Sequence, residues 1–302
     1  MVKLTEHIIF SLIAASFAVS CGTGAGRPDY EKQKIELPGV ANARQIGGYV
    51  IGDKMVRPDV LLRSGNLSDA QDAAVETLAG DFKLHFIFDF RSSGEHSGAP
   101  DRYVPGAGNH HLPVLEDLIT GLADNKAIVN LYKCQDDTGA LLGVISTTEA
   151  SAYLHSQYDS IVLNRTNQRS YAEFLDSLVA LPQGKAALWH CSYGKDRCGW
   201  GTAFVLAALG AGRELVANDF ALSNNGYQDR IDEVIAAARK AGLGPEVEAN
   251  VYALIGVSRE DFLKTWDSIE RMYGSMDNYL RTALELTDEE KSVLREKFLI
   301  DR

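Results

Sequence analysis

The chain has 302 residues, of which 45% are hydrophobic and 24% are charged, so it has enough apolar side chains for a sizeable core. Its formal net charge of −11 at pH 7 argues against binding to nucleic acid and against electrostatic docking on anionic lipid headgroups. No linker rich in proline, glycine or serine divides the middle of the chain, so we expect one folded domain.

The amino terminus has the pattern of an export signal. The apolar run at residues 8–19 is too short to span a membrane as a mature helix. Cys21 follows small residues, as in a bacterial lipoprotein cleavage site, which predicts a signal peptide at 1–20 and a lipid anchor on Cys21. An ordinary signal peptide with an incidental Cys21 is the alternative. Residues 21–36 would form a flexible tether and 37–302 an exported domain, held at a bacterial membrane in the periplasm or at the cell surface.

The first predicted elements are short strands followed by a helix. Strands and turns rich in glycine are expected between residues 41 and 67. A helix should then begin with Ser68 and Asp69 as capping residues. Residues 84–90 form a compact apolar run that is typical of a buried strand.

The second half of the chain is predicted to contain mostly helices, with one further buried strand. Residues 115–166 show no clear pattern, and we expect a helical insertion or lid there. An amphipathic helix at 168–181, a buried strand at 185–189 and a small apolar helix at 199–209 follow. The remaining pattern is helical. This order predicts an α/β fold with a central mixed sheet, flanking helices and a helical carboxyl-terminal layer.

The segment between the second buried strand and the small apolar helix carries the chemistry. It reads HCSYGKDR over residues 190–197, and Gly194 permits a sharp turn. The amides of such a turn and the start of the next helix converge on one point, which favours an anion such as phosphate. This positive field should lower the pKa of Cys191 and make it a thiolate nucleophile. Arg197 can hold two phosphate oxygens with its planar guanidinium.

The predicted reaction is hydrolysis of a phosphate ester through a phosphocysteine on Cys191. A cysteine and an arginine at this spacing are a weak signal alone, because a lone cysteine at a strand end is more often a small buried hydrophobe. Here His190 precedes the cysteine, Gly194 lies at the turn, and a strand and a helix flank the loop, which makes the signal specific. No cysteine and histidine cluster has zinc-ligand spacing, so we expect neither a metal nor another cofactor.

The loop resembles the HCxxGKDRTG signature of a bacterial branch of the protein-tyrosine-phosphatase superfamily, which includes secreted mycobacterial and listerial enzymes. Four further segments, at 42–49, 62–67, 88–95 and 273–280, resemble its NFRDLGGY, FRSGxL, DLRS…E and YGSxxxYL motifs in the same order. The resemblance covers most of the mature chain. It implies a protein-tyrosine-phosphatase-like fold and activity on phosphotyrosine, with phosphoserine, phosphothreonine and phosphoinositides as further candidate substrates.

The resemblance also assigns roles within the site. The family's loop aspartate is the proposed general acid and base, which corresponds to Asp196 here; a salt bridge to Lys195 or Arg44 is its alternative role. The runner-up acids lie in the insertion: Asp117, Asp124, Asp136 and Asp137.

The remaining loop residues are expected to contact phosphate, and the family counterpart of Lys195 is associated with tolerance for phosphoinositides. The expected phosphate-binding residues are Ser192, Tyr193, Gly194, Lys195 and Cys198. His190, Asp89 and Arg91 are expected to brace the loop from behind. Pairing of Asp89 or Arg91 with Glu95 is equally compatible with the sequence.

Two positions depart from the family pattern. Cys198 replaces a threonine, and since a thiol donates a weaker hydrogen bond than a hydroxyl, phosphocysteine hydrolysis should be slower. A reversible Cys191–Cys198 disulfide is an alternative to a small buried Cys198. Gln45 replaces an aspartate, which should loosen the site if that aspartate anchors the loop. These departures leave a second hypothesis, a catalytically weak pseudophosphatase that binds phosphoprotein or phosphoinositide.

Overall fold

The computed structural model describes residues 28–116, 137–146 and 150–302. The predicted signal peptide, Cys21 and the rest of residues 21–27 of the predicted tether lie outside these ranges, as do Asp117, Asp124 and Asp136. Within the described ranges, no helix has both the length and the apolar character needed to cross a bilayer.

A mixed five-stranded sheet forms the centre of the fold, as predicted. Its strands are β1 (Arg44–Gln45), β4 (Leu61–Ser64), β5 (Leu84–Asp89), β6 (Gly108–His111) and β7 (Ala186–His190). The spatial order is β1-β4-β7-β5-β6, with β1 antiparallel to β4 and the other neighbours parallel. A small antiparallel sheet contains β2 (Val50–Ile51), β3 (Lys54–Val56) and β8 (Leu299–Asp301).

Helices surround the sheet and fill most of the carboxyl-terminal half. In chain order the described helices are α1 (Tyr30–Gln33), α2 (Asp72–Glu76), α3 (Ser93–Gly98), α4 (Thr138–Ile145), α5 (Ala150–Leu163), α6 (Arg165–Ala180), α7 (Asp196–Ala208), α8 (Arg213–Ala221), α9 (Gln228–Lys240), α10 (Pro245–Leu254), α11 (Arg259–Tyr273), α12 (Met276–Thr282) and α13 (Asp288–Phe298). Helix α2 continues as a π-helical turn, and α8 continues as a 3₁₀ turn.

The central strand β7 divides two hydrophobic cores. Ala187 and Trp189 enter one core, where the Trp189 ring lies 5.3 Å from the ring of Phe174 on α6. Ala186 and Leu188 enter the other, which α2 covers. All of β7 is buried, as expected for a parallel strand with helices on both faces. The loop that follows β7 therefore starts from a rigid, fully packed strand.

Two predicted boundaries are wrong. The pattern places residues 30–36 in the tether, but α1 forms there, and the buried Gln33 donates to the carbonyl of Gly47 at 2.9 Å. The helix predicted at Ser68 begins at Asp72, without a side-chain cap. Ser68 instead donates from its backbone N–H to the side chain of Asn66 at 3.1 Å, so the serine closes a turn rather than a helix.

The described part of the predicted insertion is helical and belongs to the core. It comprises α4, α5 and the start of α6. Tyr158 of α5 is fully buried, and its ring lies 5.5 Å from that of Phe220 and 6.4 Å from that of Trp200. These contacts fix α5 against α7 and α8, next to the loop after β7.

Candidate active site

Residues 191–195 form the turn between β7 and α7, at the carboxyl end of the parallel strands. Gly194 has a φ angle of +64°, and a Cβ at this position would lie 2.4 Å from backbone atoms of Ser64. A side chain would therefore strain the turn and collide with the end of β4. The tight turn allows the loop to pack directly against the end of β4.

Cys191 is buried at the start of this loop. Burial opposes its ionisation, but hydrogen bonds from the thiol and backbone N–H of Cys198, together with the charge of Arg197, lower the pKa of Cys191 to about 5. The carboxylate of Asp196 acts in the opposite direction and raises the pKa of Cys191. The balance leaves Cys191 as a thiolate at neutral pH.

Cys198 is the protonated partner of that thiolate. Burial and the hydrogen bond to Cys191 raise the pKa of Cys198 well above the usual thiol value. Its Sγ also lies 3.7 Å from the carbonyl oxygen of Ser64 and 3.8 Å from that of Trp189. A single S–H proton therefore has three acceptors within reach. Both cysteines are free thiols, so a disulfide between them stays a prediction.

Arg197 is held in place by Glu95 of α3. The two Nη atoms of Arg197 lie 2.7 Å and 2.8 Å from the carboxylate oxygens, and Nη2 also donates to Ser192 Oγ at 3.2 Å. Burial raises the pKa of Glu95, but the charge and hydrogen bonds of Arg197 outweigh it and hold that pKa at about 2. Glu95 also forms a capping box with Ser92, so the start of α3 aligns the guanidinium.

Asp196 lies at the start of α7, beside the thiolate whose pKa it raises. It accepts a hydrogen bond of 2.9 Å from the hydroxyl of Tyr158 on α5. Its ion pair with Lys195 spans 3.8 Å, whereas Arg44 pairs with Asp219 instead. The side chain of Asp196 is 25% exposed, so its carboxylate is open to solvent.

The buried Lys195 side chain binds backbone carbonyl groups. Its Nζ lies 2.6, 3.1 and 2.9 Å from the carbonyl oxygens of Leu254, Ile255 and Gly256 at the end of α10. The phosphate contact that the sequence predicts for Lys195 stays a prediction, and here its ammonium binds these three carbonyl groups instead. The physical reason is that carbonyl groups at a helix end attract a cation.

His190, Asp89 and Arg91 lie behind the loop, where they join the ends of β5 and β7. The fully buried His190 ring is 3.1 Å from Asp101 through Nε2 and 3.7 Å from Asp89 through Nδ1. Burial opposes ionisation of Asp89, but Arg91 and His190 hold its pKa below the usual range. Arg91 also pairs with Asp101 at 2.9 Å. The alternative partner, Glu95, binds Arg197 instead.

Two side chains from the first motifs hold the backbone of the loop. Asn42 Nδ2 donates to the carbonyl of Gly194 at 3.0 Å, and Arg63 Nη2 donates to the same oxygen at 2.8 Å. Arg63 also pairs with Asp219 at 3.0 Å. The expected loosening through Gln45 does not follow, because its side chain accepts from the backbone N–H of Asp59 and lies away from the loop.

The sequence pattern missed Asp219 and Tyr158. Asp219 accepts from Arg63 and from the hydroxyl of Tyr49, yet it belongs to no motif quoted above. Tyr158 lies in the insertion without a readable pattern. No local signal could reveal either residue, because both contact the site across long stretches of chain.

Among the described residues, two groups bring potential metal-ligand atoms within 4.8 Å of one another. They are Asp89 with His96 and His111, and Asp89 with Asp101 and His190. Arg91 already neutralises Asp89 through hydrogen bonds from Nε and Nη2, so a cation would have to displace this guanidinium. We assign neither group as a metal site.

The match to known proteins agrees with this geometry. Residues 35–300 match the tyrosine phosphatase family over nearly the whole described chain. The chain belongs to the tyrosine phosphatase family. It is 30% identical over 263 residues to the triple specificity protein phosphatase PtpB of Mycobacterium tuberculosis. This match covers 82% of this chain and 93% of the mycobacterial protein. It is also 30% identical over 250 residues, 82% of each protein, to a provisionally named tyrosine-protein phosphatase of Cupriavidus necator.

Membership in this family makes the chain a phosphoric monoester hydrolase with phosphorylated substrates. The predicted family, fold class and enzyme class are confirmed.

Proposed function

We propose that this family member is a cysteine-dependent phosphatase that hydrolyses phosphotyrosine through a phosphocysteine on Cys191. The observation that carries the proposal is a buried thiolate, with a pKa of about 5, in a loop that also positions a guanidinium. These are the two groups that nucleophilic phosphoryl transfer requires.

The proposed reaction has two steps. The Cys191 sulfur attacks phosphorus while Arg197 and the loop amides bind the phosphoryl oxygens, and the bond to the ester oxygen breaks as Asp196 protonates that oxygen. A water molecule then attacks the phosphocysteine as Asp196 takes its proton, and the P–S bond breaks. The thiol of Cys198 supports the return of Cys191 to its thiolate form.

Aromatic residues beside the loop support phosphotyrosine as the first substrate. Tyr193 is half-buried in the loop, and its ring lies 6.3 Å from that of Tyr227, whose hydroxyl donates to the Tyr193 carbonyl at 2.6 Å. This pair can flank an aromatic ester. The mycobacterial relative is named a triple specificity protein phosphatase, so that protein acts on more than one kind of substrate. Phosphoserine, phosphothreonine and phosphoinositides stay further candidates for this chain.

We extend the proposal to the location of the enzyme. The apolar run and Cys21 favour an exported protein with a lipid anchor, which would restrict substrates to those outside the cytoplasm. Cys21→Ala should release the protein from the membrane fraction, and unchanged fractionation would contradict the anchor.

The catalytic proposal is tested by turnover of para-nitrophenyl phosphate and a phosphotyrosine peptide without added metal. Cys191→Ser should abolish turnover of both while the fold is retained by circular dichroism. Turnover that survives in Cys191→Ser would contradict the mechanism. Tight binding of the peptide without turnover in the unmutated protein would instead favour the pseudophosphatase.

A further inference from the structure

The ammonium group of Lys195 has a hydrogen-bond acceptor in the protein for each of its N–H donors. The side chain is 6% exposed, and Nζ has three carbonyl acceptors, at Leu254, Ile255 and Gly256. An ammonium carries three N–H donors. Three acceptors at these distances therefore match its full hydrogen-bonding capacity.

The acceptors are held in place independently of Lys195. Asn224 donates to the carbonyl of Val257 at 3.2 Å and accepts from its N–H at 2.7 Å, which closes the turn after α10. Gly256 has no room for a side chain, because a Cβ would lie 2.3 Å from Asn224 Oδ1. We call residues 254–257 the carbonyl seat.

The energetic balance keeps Lys195 in the carbonyl seat. The last carbonyl groups of a helix have no partner within the helix and carry partial negative charge. Turning Lys195 towards a substrate would leave these buried acceptors without their donor, which is unfavourable. The adjacent Asp196 adds a carboxylate 3.8 Å from Nζ.

Among the described residues, three further basic side chains that lie in or under the loop are also paired. Arg197 binds Glu95, Arg63 binds Asp219, and Arg44 donates to Asn42 and lies 3.7 Å from Asp219. Arg44 and Arg63 are fully buried under the loop. A second phosphate on a substrate would find no unpaired cation among these four side chains.

We propose that Lys195 is a positioning residue that fastens the phosphate-binding loop to the carbonyl seat, and that the site consequently favours singly phosphorylated esters over polyphosphorylated inositol lipids. The proposal rests on the phosphatase function above. It assigns Lys195 a role different from the substrate contact implied by the family resemblance.

The test compares two short-chain lipids that share a 3-phosphate, phosphatidylinositol 3-phosphate and phosphatidylinositol 3,5-bisphosphate. Turnover of a phosphotyrosine peptide by the unmutated protein establishes the phosphatase function, so failure of that function is seen separately from the comparison of the lipids. In Lys195→Met we expect kcat to fall about tenfold for both lipids, with the ratio of their kcat/KM values unchanged within about twofold. A loss confined to the bisphosphate, or no loss at all, would overturn the proposal.

A second variant acts on the carbonyl seat and leaves Lys195 in place. Asn224→Ala should lower kcat in the same direction, and combining it with Lys195→Met should add little, because residues acting through one contact are not additive. Asn218→Ala is the matched control, since Asn218 is exposed and bonds only Arg259 among the contacts described. Independent, multiplying effects would contradict a shared role. If Lys195→Met fails to fold, Asn224→Ala alone still tests the proposal, because unchanged kcat in that variant would contradict it.

Discussion

Cys198 stands where the signature that the loop resembles has a threonine. It supplies both its thiol and its backbone N–H to the Cys191 thiolate, so one residue would control the nucleophile in both steps of the proposed reaction. The stronger donor in the related signature is a hydroxyl. A cysteine in place of the threonine keeps a hydrogen bond to the Cys191 thiolate, but this hydrogen bond is weaker.

Restoring the hydroxyl should accelerate the second step. In Cys198→Thr we expect kcat to rise about three- to tenfold, because a better donor stabilises Cys191 as it leaves phosphorus. Stopped-flow measurement of the burst and the steady state separates this step from the first. Unchanged kcat in a folded variant would show that the thiol does not limit hydrolysis.

The nucleophile also fixes the acid side of the pH profile. Because the pKa of Cys191 is held at about 5, kcat/KM should fall as pH drops through that value and the thiolate is protonated. Cys198→Ala removes a donor that favours the thiolate, so this limb should move to higher pH. Alkylation rates with iodoacetamide across pH report the same titration directly. A limb that stays in place would contradict the role of Cys198.

At the scale of elements, the helix that matters is α5, which reaches the site from the insertion. Tyr158 donates to Asp196 and so fixes the proposed acid at the start of α7. The ring packs against Phe220 and Trp200, so the hydroxyl has little freedom. Helix α5 is therefore part of the scaffold that positions Asp196.

Removing this hydroxyl should affect acid catalysis selectively. In Tyr158→Phe we expect kcat to fall about tenfold for an alkyl phosphate, whose leaving oxygen needs a proton, and much less for para-nitrophenyl phosphate. The packing of the ring is retained, so unfolding temperature serves as the control. Equal losses on both substrates would indicate general disruption rather than positioning of Asp196.

How well the sequence predicts a secondary-structure element depends on the type of element. Strands β5 and β7 are readable because continuous apolar runs have few alternatives to burial. The start of α2 is not, because Ser68 suits a turn as well as a helix cap and tertiary contacts decide between them. Residues 115–166 lack periodicity, so no local pattern could identify α5 as a partner of the loop.

The whole molecule is acidic, but two arginine side chains lie together under the loop after β7. The net charge is −11, yet Arg44 and Arg63 lie buried under the loop with the single carboxylate of Asp219 between them. This local excess of positive charge favours both a thiolate and a phosphate above it. It also explains how a phosphorylated substrate binds an otherwise acidic surface.

The distance along the chain between residues of the site decides which of them can be predicted from the sequence. Cys191, Asp196 and Arg197 are adjacent in the chain, so the motif identifies them together. Glu95 meets Arg197 across 102 positions, and Asp219 meets Arg63 across 156 positions. Only the packing of the sheet and helices brings such partners together, and a single sequence carries no signal for that.

The central claim is that Cys191 carries the phosphoryl group during turnover. It is tested most directly by rapid acid quenching with a phosphotyrosine peptide, followed by mass spectrometry of the peptide that contains residue 191. We expect one phosphoryl group on Cys191, and more of the phosphorylated form than in Cys198→Thr. Turnover without any phosphoryl group on Cys191, or with the group on another residue, would contradict the account.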